Sequence, residues 1–269
     1  MNNILTVNNL NIALKKHKTL VSHISFQVNK GKVLAIIGES GSGKTLTCKA
    51  ILQILNSRVF NVSGQIKLYE TDLLTLNSKQ KQKIIGKQIS MIMQNPMSAF
   101  DPMMKIGTHI VETLRAHTNL TKRQAYDLGL KNLAKMNLKR VDQLMNSYPH
   151  QLSGGMLQRV MIAISLMLKP SVIIADEATT ALDTKNQSII LEEFKKIRNS
   201  GVALVVVTHD FGVVAKIADD VIVMKKGEIV ESGTVHKIFH HAQSEYTKQL
   251  LRARFLVDEV KHAYSTEFI

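Results

Sequence analysis

The chain has one cysteine, no tryptophan and an aromatic content of only 5% in its 269 residues. A single thiol excludes an internal disulfide framework and fits a reducing, cytoplasmic compartment. So few aromatic rings leave little material for the stacking platforms that hold single-stranded nucleic acids. Long apolar runs are missing too. The strongest, VMIAISLML at 160–168, is about half of the ~20 residues that a membrane-spanning helix needs. The opening stretch MNNILTVNNLN carries neither a basic leader nor a sustained apolar run before a small-residue cleavage site, so it does not read as a signal peptide. If the protein works at a membrane, another chain must do the spanning.

What is present is a globular balance, with 45% hydrophobic and 21% charged residues. The length suffices for one large α/β domain, or for a core with an inserted subdomain. A net charge of +14 suits polyphosphate ligands, an anionic membrane face or nucleic acid. The 35 Lys and Arg residues are scattered rather than massed, so a solvated basic surface is expected and nucleic acid is not an expected partner.

Short β-type runs dominate the start: ILTVNNLNIAL, LVSHISFQV, KVLAIIG leading into a Gly-rich loop, and GQIKLY. Between them, KTLTCKAILQIL sets Leu46, Ala50, Ile51, Ile54 and Leu55 at helical spacing. From about 95 to 165 strand signals vanish. There TKRQAYDLGLKNLAKM reads as a helix with a Thr121/Gln124 capping box and a Tyr126, Leu130, Leu133 face. The β/α rhythm resumes with SVIIAD, an apolar run of the kind buried in parallel sheets. The following helix has Ile190, Phe194 and Ile197 as its apolar face and Gly201 as its stop. VALVVVTHD and DDVIVMKKGEIVESG supply further strands before a polar, His-bearing tail from about residue 234.

GESGSGKT fits the phosphate-loop pattern G-x-x-x-x-G-K-[ST], with Gly38, Gly43, Lys44 and Thr45 in the fixed places and Glu39, Ser40, Gly41 and Ser42 between them. A strand before it and a helix after it are the context that such a loop requires. Backbone N–H groups from Ser40 to Thr45 surround phosphates in this geometry, Lys44 reaches the β and γ oxygens, and Thr45 offers a hydroxyl to Mg2+. The loop therefore predicts ATP-type nucleotide and Mg2+ as cofactors. VIIADE ends a buried strand in two carboxylates, which invites two roles: Asp176 on the metal and Glu177 on the attacking water. A second Gly-rich stretch, LSGGMLQRV at 152–160, also looks like a phosphate cradle opening a helix. Taken alone, His209 after an apolar strand reads as a partly buried histidine, and Cys48 as a small core residue.

The order of these motifs resembles the ATP-binding subunits of ABC transporters over nearly the whole chain. It is carried by the loop at 38–45, MQNP with Gln94, LSGGM at 152–156, IIADEATTALD with Asp176, Glu177 and Asp183, and VTHD with His209. The resemblance implies an α/β P-loop NTPase core with an N-terminal antiparallel β subdomain and an inserted helical subdomain. It divides the chain into a nucleotide-binding core at 1–94, a helical subdomain at 95–165, the remainder of the core at 166–233 and a tail at 234–269. It also implies head-to-tail pairing, in which Ser153, Gly154 and Gly155 of one subunit close over ATP held by another. Gln94 senses the γ-phosphate and joins Thr45 and Asp176 around the metal. The resemblance further implies that Glu177, His209 and Gln94 form the catalytic set and that Asp183 communicates across the dimer.

Two positions depart from the general pattern. Met156 stands where a glutamine is usual, and a thioether cannot offer an amide's hydrogen bonds. NIALKKHK lacks an aromatic platform for adenine, His17 being its only ring. The methionine and the EYTKQLL ending resemble the oligopeptide and nickel importer branch. That resemblance implies two membrane-spanning permease subunits, a second ATP-binding subunit that is a different polypeptide, an indirect link to an extracytoplasmic solute-binding protein, and a peripheral place on the cytoplasmic face. Nickel or another chelated transition metal is the implied cargo, with short peptides as the alternative. A soluble ABC-type switch is the rival class, and a GTPase is disfavoured because no N-K-x-D segment occurs. His236, His240 and His241 lack a firm metal-ligand spacing and read as a surface helix.

Overall fold

The structure is a computed structural model that describes residues 3–15, 18–179 and 183–253. Strands β1 (Asn3–Leu14), β2 (Thr19–Asn29), β4 (Phe60–Leu68) and β5 (Thr71–Asp72) form an antiparallel sheet in the order β2-β1-β4-β5. The second sheet has the order β10-β9-β3-β8-β7-β6. It is built from β3 (Val33–Ile37), β6 (Ile89–Ile92), β7 (Val172–Asp176), β8 (Ala203–Val207), β9 (Asp220–Lys225) and β10 (Glu228–Thr234). From β9 to β6 the pairing is parallel; β10 returns antiparallel on β9.

The central strands are short and almost wholly apolar because both of their faces are covered. Leu34 and Ile36 of β3, Val205 of β8 and Ile174 of β7 pack into one cluster with Leu5, Val7 and Ile66 of the antiparallel sheet. The alternate residues Leu204, Val206, Ile173 and Ala175 join the helices on the other side, where Phe194 is fully buried. Each buried Val, Leu, Ile or Phe among them contributes about 1.5–3 kcal/mol through burial. A third cluster joins Ala35 and Ile37 to residues near the end of the described chain, including Ile238, Tyr246 and Leu251. Asp219 ties the base of this layer: it accepts from the Val33 N–H at 2.9 Å and from the Lys32 and Arg198 side chains.

The helices are α1 (Lys44–Ile51), α2 (Ser78–Ile84), α3 (Ile106–His117), α4 (Lys122–Lys135), α5 (Val141–Asn146), α6 (Gly154–Met167), α7 (Thr184–Asn199), α8 (Phe211–Ile217) and α9 (Val235–His240). A further helical stretch runs over 245–253. Between β6 and β7 the described chain is helical or irregular throughout, as the loss of strand periodicity anticipates. The Thr121/Gln124 capping box forms at the start of α4. Leu133 is buried as expected and Tyr126 and Leu130 pack partly buried against the same core, while Ala125 and Gly129 are the fully buried residues not anticipated. Their burial follows from Gly129, where a Cβ would stand 2.8 Å from Ile110, so α3 approaches α4 over the small residues.

The expected apolar face of the first helix also needs correcting, because α1 stops at Ile51 and Gln53 turns the chain at φ +56°. Ile54 is thereby left 55% exposed. β6 was not anticipated; its four residues follow a glycine turn and are too few to display a period. The tail is less polar in place than in sequence, since Ile238, Tyr246 and Leu251 are buried. His236, His240 and His241 are exposed, as a surface helix implies.

Candidate functional site

Four connections leave the same edge of the parallel sheet, the carboxyl ends of β3, β6, β7 and β8, where crevices between strands and helices open. The Gly-rich loop follows β3. Gly38, Gly41 and Gly43 adopt φ of +148°, +78° and +102°, a left-handed backbone that other residues enter at a cost. At Gly38 a Cβ would lie 2.1 Å from the Met224 carbonyl oxygen, so no side chain fits. Lys44 opens α1 and folds back over the loop. Its ammonium donates to the carbonyls of Gly38 at 2.7 Å and Glu39 at 2.8 Å. Burial holds the Lys44 pKa below its usual value, opposed by the charges of Glu177 and Asp176.

Thr45 is next on α1, and its hydroxyl donates to Asp176 Oδ1 at 3.2 Å. Asp176 is buried at the end of β7. Desolvation pushes its carboxyl above the ordinary aspartate value, with the Thr45 hydrogen bond acting in the opposite sense. Glu177 is one step further on and takes φ +49°, a backbone region that non-glycine residues seldom occupy. Its N–H donates to the Val207 carbonyl at 2.8 Å, and this pins the turn. The Glu177 carboxylate accepts from Gln94 Nε2 at 3.1 Å and lies 3.6 Å from His209 Nδ1. Strain of this kind concentrates where a side chain must be aimed. Here it accompanies a carboxylate held between an amide and an imidazole.

Ser153 caps α6 by accepting from the Met156 N–H, so the SGG stretch opens a helix. Ser153 and Gly154 are exposed, while Gly155 is buried. A Cβ on Gly154 would meet nothing within 4 Å; one on Gly155 would stand 2.8 Å from Asn186 Oδ1. Asn186 was not among the expected residues. Its side chain donates to Asp183 Oδ2 at 2.7 Å while its backbone N–H donates to Oδ1, and these bonds hold the Asp183 carboxyl below its usual range. The spacing D-x-x-N makes the helix cap legible, but nothing local in the sequence announces that the cap touches Gly155. Gln187, next along α7, donates to Asp210 Oδ2 at 3.1 Å, beside His209.

Met156 is partly buried against the helical core. Cys48 is fully buried, and desolvation raises its thiol far above the usual range, as befits a core residue. His17 and the stretch 180–182 lie outside the described residues.

A loop of this form on a strand-to-helix turn, with Asp and Glu at a neighbouring strand end, defines a P-loop ATPase. The ABC transporter family matches residues 21–180. The chain is 42% identical over 262 residues to the metal-staphylopine import system ATP-binding protein CntD of Staphylococcus aureus, covering 96% of each. It is 40% identical to the oligopeptide transport ATP-binding protein AppD of Bacillus subtilis, covering 96% of this chain and 80% of that one. Its fold is that of CbiO1 from Clostridium perfringens, described as part of the ABC transporter complex CbiONQ. That match has a TM-score of 0.77 at 24% identity, over 98% of this chain and 100% of the other. The chain therefore belongs to the ABC transporter family, as an ATP-hydrolysing subunit. Within the family it stands with the ATP-binding subunits of importers.

The two signature glycines should respond differently to a methyl group in the isolated chain. Gly155→Ala meets a pinned Asn186 and is expected to lower stability by about 1–3 kcal/mol. Gly154→Ala enters open space and should stay within about 0.5 kcal/mol of wild type. Urea unfolding of both variants measures the contrast; equal effects would contradict the asymmetry.

Proposed function

We propose that this chain powers import of nickel or another transition-metal ion carried in a chelate. It would work peripherally at the cytoplasmic face of a membrane, with two permease subunits and a second, different ATP-binding subunit, and an extracytoplasmic binding protein would deliver the cargo. The observation that carries the ATPase part is the pairing of Thr45 with Asp176 and, one residue further along the chain, of Glu177 with both Gln94 and His209, at hydrogen-bonding or ion-pair distances. The cargo part rests on similarity to the metal-staphylopine subunit. Short peptides are the second reading, favoured by the similarity to AppD. In this reading residues 1–94 and 166–233 make the core, 95–165 the helical insert and 234–269 the tail.

The proposed roles follow from the groups' chemistry. Amides of Ser40 to Thr45 receive the phosphates, and Lys44 exchanges its carbonyl partners for β and γ oxygens. Thr45, Asp176 and Gln94 offer hard oxygen donors of the kind that Mg2+ accepts alongside phosphates and water. When bound there, Mg2+ neutralises charge on the phosphate oxygens. Glu177 orients and polarises the attacking water, while Gln94 and His209 hold its carboxylate and meet the transferring phosphate. Ser153, Gly154 and Gly155 serve the partner subunit's ATP, and the open space above Gly154 supports that reading. Hydrolysis then needs both subunits together, so ATP acts as a reversible link between them.

Among the described residues no helix is long and apolar enough to cross a membrane. A groove of about 500 Å3 beside α1 is lined in part by Leu52, Ile54, Ile85, Ala116 and His117. An adjoining hollow reaches Ile89, Ser90 and Met91 of β6. This groove, whose lining also includes Gln53, Lys81 and Gln82, is the proposed seat of a permease's cytoplasmic segment, which would bear on the strand that leads to Gln94.

Three outcomes test the reading. In the assembled complex Glu177→Gln should keep ATP affinity but slow single-turnover hydrolysis by about a hundredfold or more; an unchanged rate would remove Glu177 from catalysis. Gly154→Asp should leave this chain's own ATP affinity intact while impairing hydrolysis at the partner's phosphate loop, read by nucleotide crosslinking with each loop disabled in turn. A defect mapped to the Lys44 site would refute the head-to-tail arrangement. Cells lacking the chain should lose accumulation of nickel, cobalt or zinc while keeping peptide uptake, and the opposite pattern would establish the peptide reading.

A further inference from the structure

The tail takes no part in the reaction described so far, yet it reaches the phosphate loop. The Glu39 backbone N–H donates to the Tyr246 hydroxyl at 3.1 Å. The Glu39 carbonyl accepts from Lys44 Nζ at 2.8 Å and from the Ser42 N–H at 3.2 Å. One residue of the loop therefore joins the tail to the lysine that must move when phosphate arrives.

Tyr246 is held from several sides. It is only 7% exposed and shares a cluster with Ile37, the residue immediately before the loop. The Lys225 ammonium stands 4.4 Å above its ring, a cation–π contact. The turn that delivers it is fixed by the Glu231 carboxylate, which accepts from the Gln243 N–H at 2.8 Å and the Ser244 N–H at 3.1 Å. A well-packed ring thus presents its hydroxyl to a backbone amide in a loop whose three glycines take positive φ.

We propose that Tyr246 is a positioning residue for the nucleotide: its hydroxyl fixes the Gly38–Glu39 peptide, so the phosphate loop keeps its open form while Lys44 passes from carbonyl to phosphate, and ATP affinity depends on the docked tail. The hydroxyl directs the Glu39 N–H to the tail and away from phosphate, while the Ser42 N–H rests on the Glu39 carbonyl. Without it, the peptide can rotate and part of the loop's order must be restored when ATP binds. The inference rests on ATP binding at residues 38–45.

The test is Tyr246→Phe in the full chain within the assembled transporter. Phenylalanine keeps the ring, its burial and the Lys225 contact and removes only the hydroxyl. The KM for ATP is expected to rise about three- to tenfold, on the scale of one hydrogen bond, with kcat within about twofold. Affinity of the isolated full-length chain for a fluorescent ADP should fall by the same factor, and the thermal midpoint of the nucleotide-free protein should stay near wild type. Tyr246→Leu, which removes the ring's cation–π contact and alters its packing as well, should lower that midpoint. Unchanged KM and ADP affinity in Tyr246→Phe would overturn the proposal. So would a parallel loss of KM, kcat and thermal midpoint, because that pattern marks packing alone. A wild-type chain that failed to bind nucleotide would instead fault the ATP site itself.

Discussion

The parallel pairing of β3, β8, β7 and β6 is the constraint on which the site depends. Ile36 lies opposite Val207, Ala175 opposite Val206, and Ile92 opposite Ala175, so the strands end at nearly the same level. Whatever follows each strand becomes a neighbour of whatever follows the next. A phosphate loop, an Asp-Glu pair, a histidine and a glutamine separated by as many as 171 positions (38 to 209) are thereby gathered at one edge. Apolar contacts on both faces hold the register, because a slip of one residue would exchange the two buried faces of a strand.

Much of this was legible in the sequence because the signals are local. The phosphate loop is a contiguous pattern bound to one backbone shape, and the apolar runs before Gly38 and up to Asp176 read directly as buried strands. Capping at Thr121 is also a four-residue message. What escaped was non-local. The face of α4 was set by how closely Gly129 lets α3 approach, and Ile54 left the apolar face of α1 because the helix ended one turn early. The contact of Asn186 with Gly155 joins positions 31 apart (155 to 186), and no periodicity encodes it.

That contact gives α7 a place between the two glycine-rich elements. Its first turn carries the Asp183 cap, the Asn186 side chain against Gly155, and Gln187 bonded to Asp210 beside His209. One turn therefore lies against both the stretch proposed to face a neighbouring subunit and the loop that bears His209. The two elements thus share one helix turn as a common neighbour, without the length of the sheet between them.

The resting posture of Lys44 has a consequence for the exit of product. Its ammonium is already satisfied by the carbonyls of Gly38 and Glu39, in a pocket too dry to hydrate it well. A lysine that could turn only to water would cling to the remaining phosphates of ADP. Here the two neutral carbonyls stand ready as weaker oxygen partners, so departure of a nucleotide from the proposed site would strand no bare cation. The nucleotide-free loop thus has its lysine partnered in advance, which would ease release of product from the proposed ATP site.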